Sequence, residues 1–272
     1  MELGLGLGIS KGGFVTNLFR DATLAFSLRD LGLGATYVVR VRRDSDNVEQ
    51  DFTATEITNG GLETFVGSAN GHVTIWYNQK GGNNAIQNTA TQQPIIIDTG
   101  NLVMENDKAA LKFTQSEFLN VGTNVYSLDQ QIVNHFSVQK PLTSVATQYV
   151  LGGSVDKGYL HLYSDTQKLR NATARTGGLN VDNGLDFTAV QHLVYMKADR
   201  DRIKSFANNV LNVDILDDDS NYSGNNLLIA SKSNLGDNMF KGTIQEIALY
   251  TTDQENNRIT IQNNINNYYG IY

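Results

Sequence analysis

The sequence has no cysteine, which removes disulfides, a thiol nucleophile and a thiolate metal site in one step. Proline is nearly absent too: Pro94 and Pro141 are the two in the chain, and each sits beside a strand-like run where a missing backbone N–H is tolerated. Charge is scarce, at 18% Asp, Glu, Lys and Arg against 40% hydrophobic residues. Asn, Gln, Thr and Ser fill the gap, the composition of a folded chain rather than a disordered one. Positive charge is in the minority. A formal net charge of −7 argues against a nucleic-acid partner, whose phosphates need clustered Lys and Arg. The run Arg40, Arg42, Arg43 is too short to change this, and in a strand its members would alternate between faces. No apolar run approaches the roughly 18 to 20 residues that span a bilayer, so no membrane partner is expected. The start also lacks the basic and long apolar regions of a signal peptide. A chain with neither export signal nor cysteine is expected to act in a cytosol, or to be released inside a particle assembled there.

What is present is a strand pattern. The opening "MELGLGLGISKGG" alternates Leu or Ile with Gly over residues 3–9, leaving one side-chain face. It reads either as a flexible leader or as an anchor strand that docks on a neighbouring protein, and residues 1–16 are set apart as an extended Gly-rich leader. "TNLFRDATLAFSLRDL", residues 16–31, spaces its apolar residues as one wide stripe and predicts a short N-terminal helix. From "ATYVVRVRR" (35–43) onward, β-branched and aromatic runs recur every 10 to 15 residues or so, broken by Asn, Asp and Gly. That spacing predicts an antiparallel sandwich rather than βαβ units, with "KADRDRIK" (197–204) as a hairpin connection. At the end, Thr252 and Glu255 stand at capping-box spacing ahead of Ile261, Ile265 and Tyr268, predicting a C-terminal helix folded back on the sheets. Residues 17–272 are expected to form one domain.

The closing stretch "FKGTIQEIALYTTDQENNRITIQNNINNYYGIY" resembles the F-x-G-x-I-x-E strand and terminal helix of concanavalin A-like, laminin-G-like jelly rolls. In the front half, "LAFSLRDL", "VVRVRRDSDNVEQDF" and "WYNQKGGNNAIQ" are similar to the catalytic domain of fungal and bacterial arabinofuranosidase B, which carries a Y-D-Q-S-G-N-G-N block there. Together the two cover most of residues 24–272. The resemblance implies an all-β jelly-roll sandwich. Its front half is also found in tail and capsid-associated proteins of bacteriophages.

The family's retaining chemistry needs a nucleophilic and an acid/base carboxyl about 5 to 5.5 Å apart. Its nucleophile lies in a G-H-M-E-A-I-Y-L-G strand; the matching "KGYLHLYSD" puts Leu160 and His161 at that place, and neither forms a glycosyl ester. The family's acid/base aspartate maps onto "ILDDDSNYSGNN", with Asp217, Asp218 and Asp219, so one carboxyl is kept and the pair is not. The family's vicinal cysteines are missing as well. In the Trp76 block, Asn78 and Lys80 stand where the family writes an acidic segment.

The candidate glycan contacts are Trp76, Tyr77, Asn78, Gln79 and Asp219: amides for hydroxyls, and an aromatic for an apolar sugar face. Asp217, Asp218 and Asp219 form the best calcium candidate, a loop rich in hard oxygen ligands, although it lacks the D-x-[DN]-x-[DN]-G pattern. His72, His135, His161 and His192 are too scattered for zinc, and no G-x-S-x-G elbow occurs. The function expected is a non-catalytic bacteriophage virion protein, a head fibre, decoration or tail-associated component. Its leader would contact other virion proteins and its jelly roll would project, within a symmetric homo-oligomer, to touch glycans. The competing expectations are an active arabinofuranosidase-like hydrolase with relocated carboxylates and a stand-alone lectin module.

Overall fold

A computed structural model describes residues 18–122, 125, 132–142, 147–153, 159–163, 168–173, 179–186, 189–199, 202–216, 226–232 and 239–272. The leader expected over residues 1–16 lies outside the described residues, as do Asp217, Asp218 and Asp219. In chain order the strands are β1 (Leu24–Ser27), β2 (Val39–Arg43), β3 (Glu49–Phe52), β4 (Gly71–Trp76), β5 (Ala85–Ile86), β6 (Ile95–Asp98), β7 (Asn101–Leu102), β8 (Met104–Glu105), β9 (Lys108–Ala109), β10 (Leu111–Thr114), β11 (Leu119–Gly122), β12 (Ile132–Pro141), β13 (Gln148–Gly153), β14 (Tyr159–Tyr163), β15 (Lys168–Thr173), β16 (Leu179–Asp186), β17 (His192–Asp199), β18 (Arg202–Ala207), β19 (Val210–Leu216), β20 (Leu227–Ile229) and β21 (Lys241–Tyr250). The helices are α1 (Ala54–Thr58), α2 (Gly61–Val66) and α3 (Arg258–Tyr269).

These strands pair antiparallel into two layers. One runs β3-β2-β4-β5-β11-β20-β13-β14-β15-β16. The other runs β6-β10-β21-β12-β17-β18-β19, and β1 continues the β10 edge along β21. A short β4–β6 pairing links the layers. This is the all-β sandwich that the turn spacing predicts. Between the layers lies the main core, where Val39, Val41, Val73 and Trp76 meet Leu111, Val194, Ile203 and Ile247. A second apolar cluster covers the outer face of the second layer, with Ile261, Ile265 and Tyr269 of α3 packed on Phe136, Tyr195 and Tyr250. Strand β17 is therefore buried on both faces, and its residues 193–196 are apolar at consecutive rather than alternating positions.

The same double burial explains why the stretch predicted as a helix over residues 16–31 is helical at Leu18 but a strand over Leu24–Ser27. Leu24 and Phe26 enter the main core while Ala25 faces the α3 cluster, so both faces carry apolar residues and imitate a wide helical stripe. A buried ion pair locks this strand. Glu246, 1% exposed, accepts hydrogen bonds from Ser27 Oγ (2.8 Å), Arg29 Nε (2.8 Å), Arg29 Nη2 (3.0 Å) and Tyr269 OH (3.1 Å). Arg29 Nη2 also donates to Asn264 Oδ1 at 2.9 Å. Burial alone would lower the Arg29 pKa, but the Glu246 carboxylate outweighs it through charge and hydrogen bonding, and the net direction is upward.

Two further expectations change at helix ends. The C-terminal helix is present, but it starts at Arg258 with Asn257 as N-cap and no side-chain cap; the Thr252–Glu255 capping box does not form. The reason is competition: Glu255 binds the Lys197 ammonium at 3.1 Å and also pairs with Lys204. A capping box does form where none was predicted, at Thr53 and Glu56 ahead of α1.

Candidate functional site

The block that begins at Trp76 builds the site, although not with its first residues. Strand β4 carries Trp76 into the main core, fully buried and with its ring centroid 5.6 Å from that of Phe26. Tyr77 points to the opposite side of the sheet, half-buried, and its hydroxyl donates to Asp51 Oδ1 at 2.6 Å. Asp51 also holds Arg40 in a bidentate pair, both bonds 2.8 Å. Burial and this hydrogen bond push the Tyr77 phenol up to about 12, and the Arg40 guanidinium holds the Asp51 carboxyl below its usual range.

Asn78 and Gln79 face inward and bind the protein itself. Asn78 Oδ1 accepts from the amides of Ala25 (2.8 Å) and Lys80 (3.1 Å), and its Nδ2 donates to the Gly81 carbonyl at 2.6 Å. Gln79 Nε2 donates to the carbonyls of Ser27 (3.0 Å) and Arg29 (2.7 Å), while Oε1 accepts from Leu31 N at 2.8 Å. At 4% and 3% exposed, both side chains are stitching between the turn and β1. Of the predicted sugar contacts, Trp76, Asn78 and Gln79 are thus corrected to structural roles. Tyr77 alone reaches the surface, and Asp219 lies outside the described residues. The calcium candidate falls there too; among the described residues no cluster of His, Asp and Glu is arranged to hold a metal.

The residues beyond Lys80 make the site. Gly81 and Gly82 adopt φ of +84° and +85°, a left-handed pair that β-carbons disfavour, and they turn the chain back so that Asn84 accepts from Asn78 N at 3.0 Å. Strand β5 then pairs with β4 on one side and β11 on the other. It buries Ala85 and leaves Ile86 37% exposed on the outer face of the layer. Around Ile86 opens a cleft of about 500 Å³, walled by Asn84, Gln87, Asn88, Thr89 and Gln92 and closed by Phe118, Asn120, Val121 and Gly122. Gln87 braces the wall, donating to the Phe118 carbonyl (3.1 Å) and accepting from Thr89 N (2.9 Å). Asn120 Oδ1 accepts from Gly122 N at 2.8 Å. That leaves the Nδ2 groups of Asn84 and Asn120 and the whole amides of Asn88 and Gln92 without partners among the described residues.

Among the described residues, no ionisable side chain lines this cleft. The two nearest in sequence are engaged elsewhere: Lys80 donates to the Arg20 carbonyl, and Glu117 accepts from Thr114 N, Thr114 Oγ1 and Ser116 N. Carboxylates do gather around Lys197 Nζ, with Asp199 at 3.4 Å, Asp253 at 3.0 Å and Glu255 at 3.1 Å. Burial would raise Asp253 and Glu255, but hydrogen bonds and the lysine charges hold both below their usual values. Neither keeps a proton to donate near neutral pH. Leu160 and His161 sit on β14, in register with Ala172 and Asn171 of β15. The signal that sequence reading missed was in plain view: in "NNAIQN" an apolar residue that must face water is surrounded by amides.

Comparison with known proteins comes from structure alone. No protein-family model and no curated protein matches the chain. A GH54 α-L-arabinofuranosidase soaked with a cyclic sulfate inhibitor superposes with a TM-score of 0.66 at 14% identity, covering 90% of this chain and 62% of that one. An arabinofuranosidase complexed with arabinofuranosyl-α-1,2-xylobiose superposes with a TM-score of 0.63, also at 14% identity and with the same coverage. The chain therefore spans about 62% of the length of these structures. The likeness shows a shared fold.

Proposed function

We propose that this chain is a non-catalytic glycan-binding module whose binding surface is the cleft around Ile86. The observation that carries the reading is the chemistry of the lining: the Nδ2 donors of Asn84 and Asn120 and the whole amides of Asn88 and Gln92, without partners among the described residues, over an apolar floor and with no ionisable group among the described residues. An amide offers both a donor and an acceptor and so matches a sugar hydroxyl, which is both. An uncharged, partly apolar cleft of this size suits a small neutral ligand. The shared fold with arabinofuranosidases is analogy and adds weight only as that. The absence of catalysis is supported by Leu160 and His161 at the place the resemblance gives to the nucleophile.

The finer proposal sets this module on a bacteriophage virion, as a head fibre, decoration or tail-associated protein in a symmetric homo-oligomer. Support for it comes from sequence: the Gly-alternating residues 3–9, the missing cysteines, and the resemblance of the front half. Mass spectrometry of purified particles tests it, with the chain expected among the particle proteins.

The binding reading is tested on a glycan array, followed by calorimetry with arabinofuranosyl-xylobiose and any array hit. Binding is expected, and Asn120→Ala and Gln92→Ala are each expected to weaken it by about threefold to tenfold, one hydrogen bond apiece. An empty array would overturn it. Turnover of a chromogenic arabinofuranoside that disappears in Asp219→Asn would replace it with the hydrolase reading.

A further inference from the structure

The cleft does not stop at its own walls. Strand registers set one row of residues side by side across the outer face of the first layer: Asp51 beside Arg40, Arg40 beside Ile75, Ile75 beside Ile86, and Ile86 beside Asn120. Directly paired residues share a face of a sheet. Their burial agrees, because the neighbours Val39, Trp76, Ala85, Leu119 and Phe52 all belong to the main core. With neighbouring strands about 4.8 Å apart, the row from Asp51 to Asn120 crosses four spacings, roughly 19 Å. At the Asn120 end it is stopped by the satellite cluster of Phe118, Leu228 and Met239. At the other end it is open, with the Tyr77 hydroxyl, Asp51 and a 38%-exposed Arg40 side chain.

From this row, we infer that the site binds an extended oligosaccharide chain laid across the strands. One end of the chain lies in the amide cleft, its middle on Ile86 and Ile75, and its far end at Tyr77 and Arg40. A single terminal sugar ring would fill only the cleft. The inference rests on the glycan reading above and goes further by assigning a ligand length and a second contact point. The chemistry changes along the row in the sense such a ligand requires. Uncharged amides hold one end, two isoleucines offer an apolar track to the C–H faces of the sugar rings, and the far end supplies guanidinium donors. Arg40 is already neutralised by Asp51, so this end adds hydrogen bonds without adding net charge.

The test is calorimetry of the intact chain against linear xylo-oligosaccharides and arabino-oligosaccharides from one to six units, together with any array hit in the same range of lengths. Affinity is expected to climb at least about tenfold between one and four units and then level off. Tyr77→Phe, which keeps the ring in place, is expected to lower affinity for the longer ligands about threefold to tenfold and to leave the single sugar unchanged. Arg40→Ala is expected to behave alike, with unfolding curves confirming that each variant is folded. Equal affinity at every length, or a Tyr77→Phe effect on the single sugar as large as on the chain, overturns the extended site while leaving glycan binding intact. If no ligand of any length binds, the glycan reading itself falls, and this inference with it.

Discussion

Replacing Glu246 with glutamine is the sharpest test of how β1 and α3 are locked onto β21. The change keeps size and shape and removes one charge. In the native protein the carboxylate takes hydrogen bonds from Ser27, from two nitrogens of Arg29 and from Tyr269, and it is 1% exposed opposite a guanidinium that is 7% exposed. Glutamine leaves that guanidinium buried without a counter-ion, and turns an NH2 group toward donors that need an acceptor. Breaking a buried pair from one side costs about 3 to 5 kcal/mol. In a chain of this size that corresponds to a fall in Tm of about 6 to 20 °C. Urea unfolding followed by the fluorescence of Trp76, the only tryptophan, reads the change directly, because its ring packs on Phe26, one residue from Ser27. The slope of the transition should stay constant while the midpoint falls. Adding Arg29→Met to the variant should restore much of the loss, giving a coupling of at least about 2 kcal/mol. A Glu246→Gln protein within about 1 kcal/mol of the wild type, or a double variant no better than the single, would refute the assignment of this carboxylate as a lock.

Two further predictions concern pH. Ultraviolet titration should place one phenol at about 12, and Asp51→Asn should bring it down toward its ordinary value of 10.0. Because the folded pKa is raised, the stability Tyr77 contributes is complete below 10.0 and is lost as pH climbs toward 12. The carboxyls of Asp253 and Glu255 are depressed instead, so the stability they supply is complete above their ordinary values of 3.8 and 4.5 and drains away as pH falls through the depressed ones. Lys197→Met should flatten this acid limb in urea midpoints measured from about pH 6 downward; an unchanged limb would show that the Lys197 cluster does not hold them.

Much of the sandwich was legible because period-two patterning and turn residues survive wherever one face of a strand meets water. Legibility failed where both faces are covered. Over Leu24–Ser27 the α3 cluster supplies an apolar neighbour on the side that a simple sheet would leave wet, and no local pattern announces a helix that arrives from the far end of the chain. Thr252 and Glu255 have the right spacing for a cap, but two lysines from β17 and β18 claim the glutamate, a tertiary competition that spacing cannot register. The site was half legible. The Trp76 block was the right place, yet Asn78 and Gln79 look like sugar ligands for the same reason that they make good stitches: an amide binds a backbone as readily as a hydroxyl. Which amides remain for a ligand depends on what lies within about 3 Å of each, and only the folded chain answers that.

The seam between the chain's first described residues and its last helix has one more consequence. Tyr250 OH donates to the Leu18 carbonyl at 2.9 Å, and Leu18 packs with the α3 cluster on the outer side of the second layer. The cleft opens on the outer side of the first. The seam and the cleft thus lie on opposite outer faces of the sandwich, with both sheets in between, so whatever the cleft binds meets a surface that neither Leu18 nor the last helix helps to build.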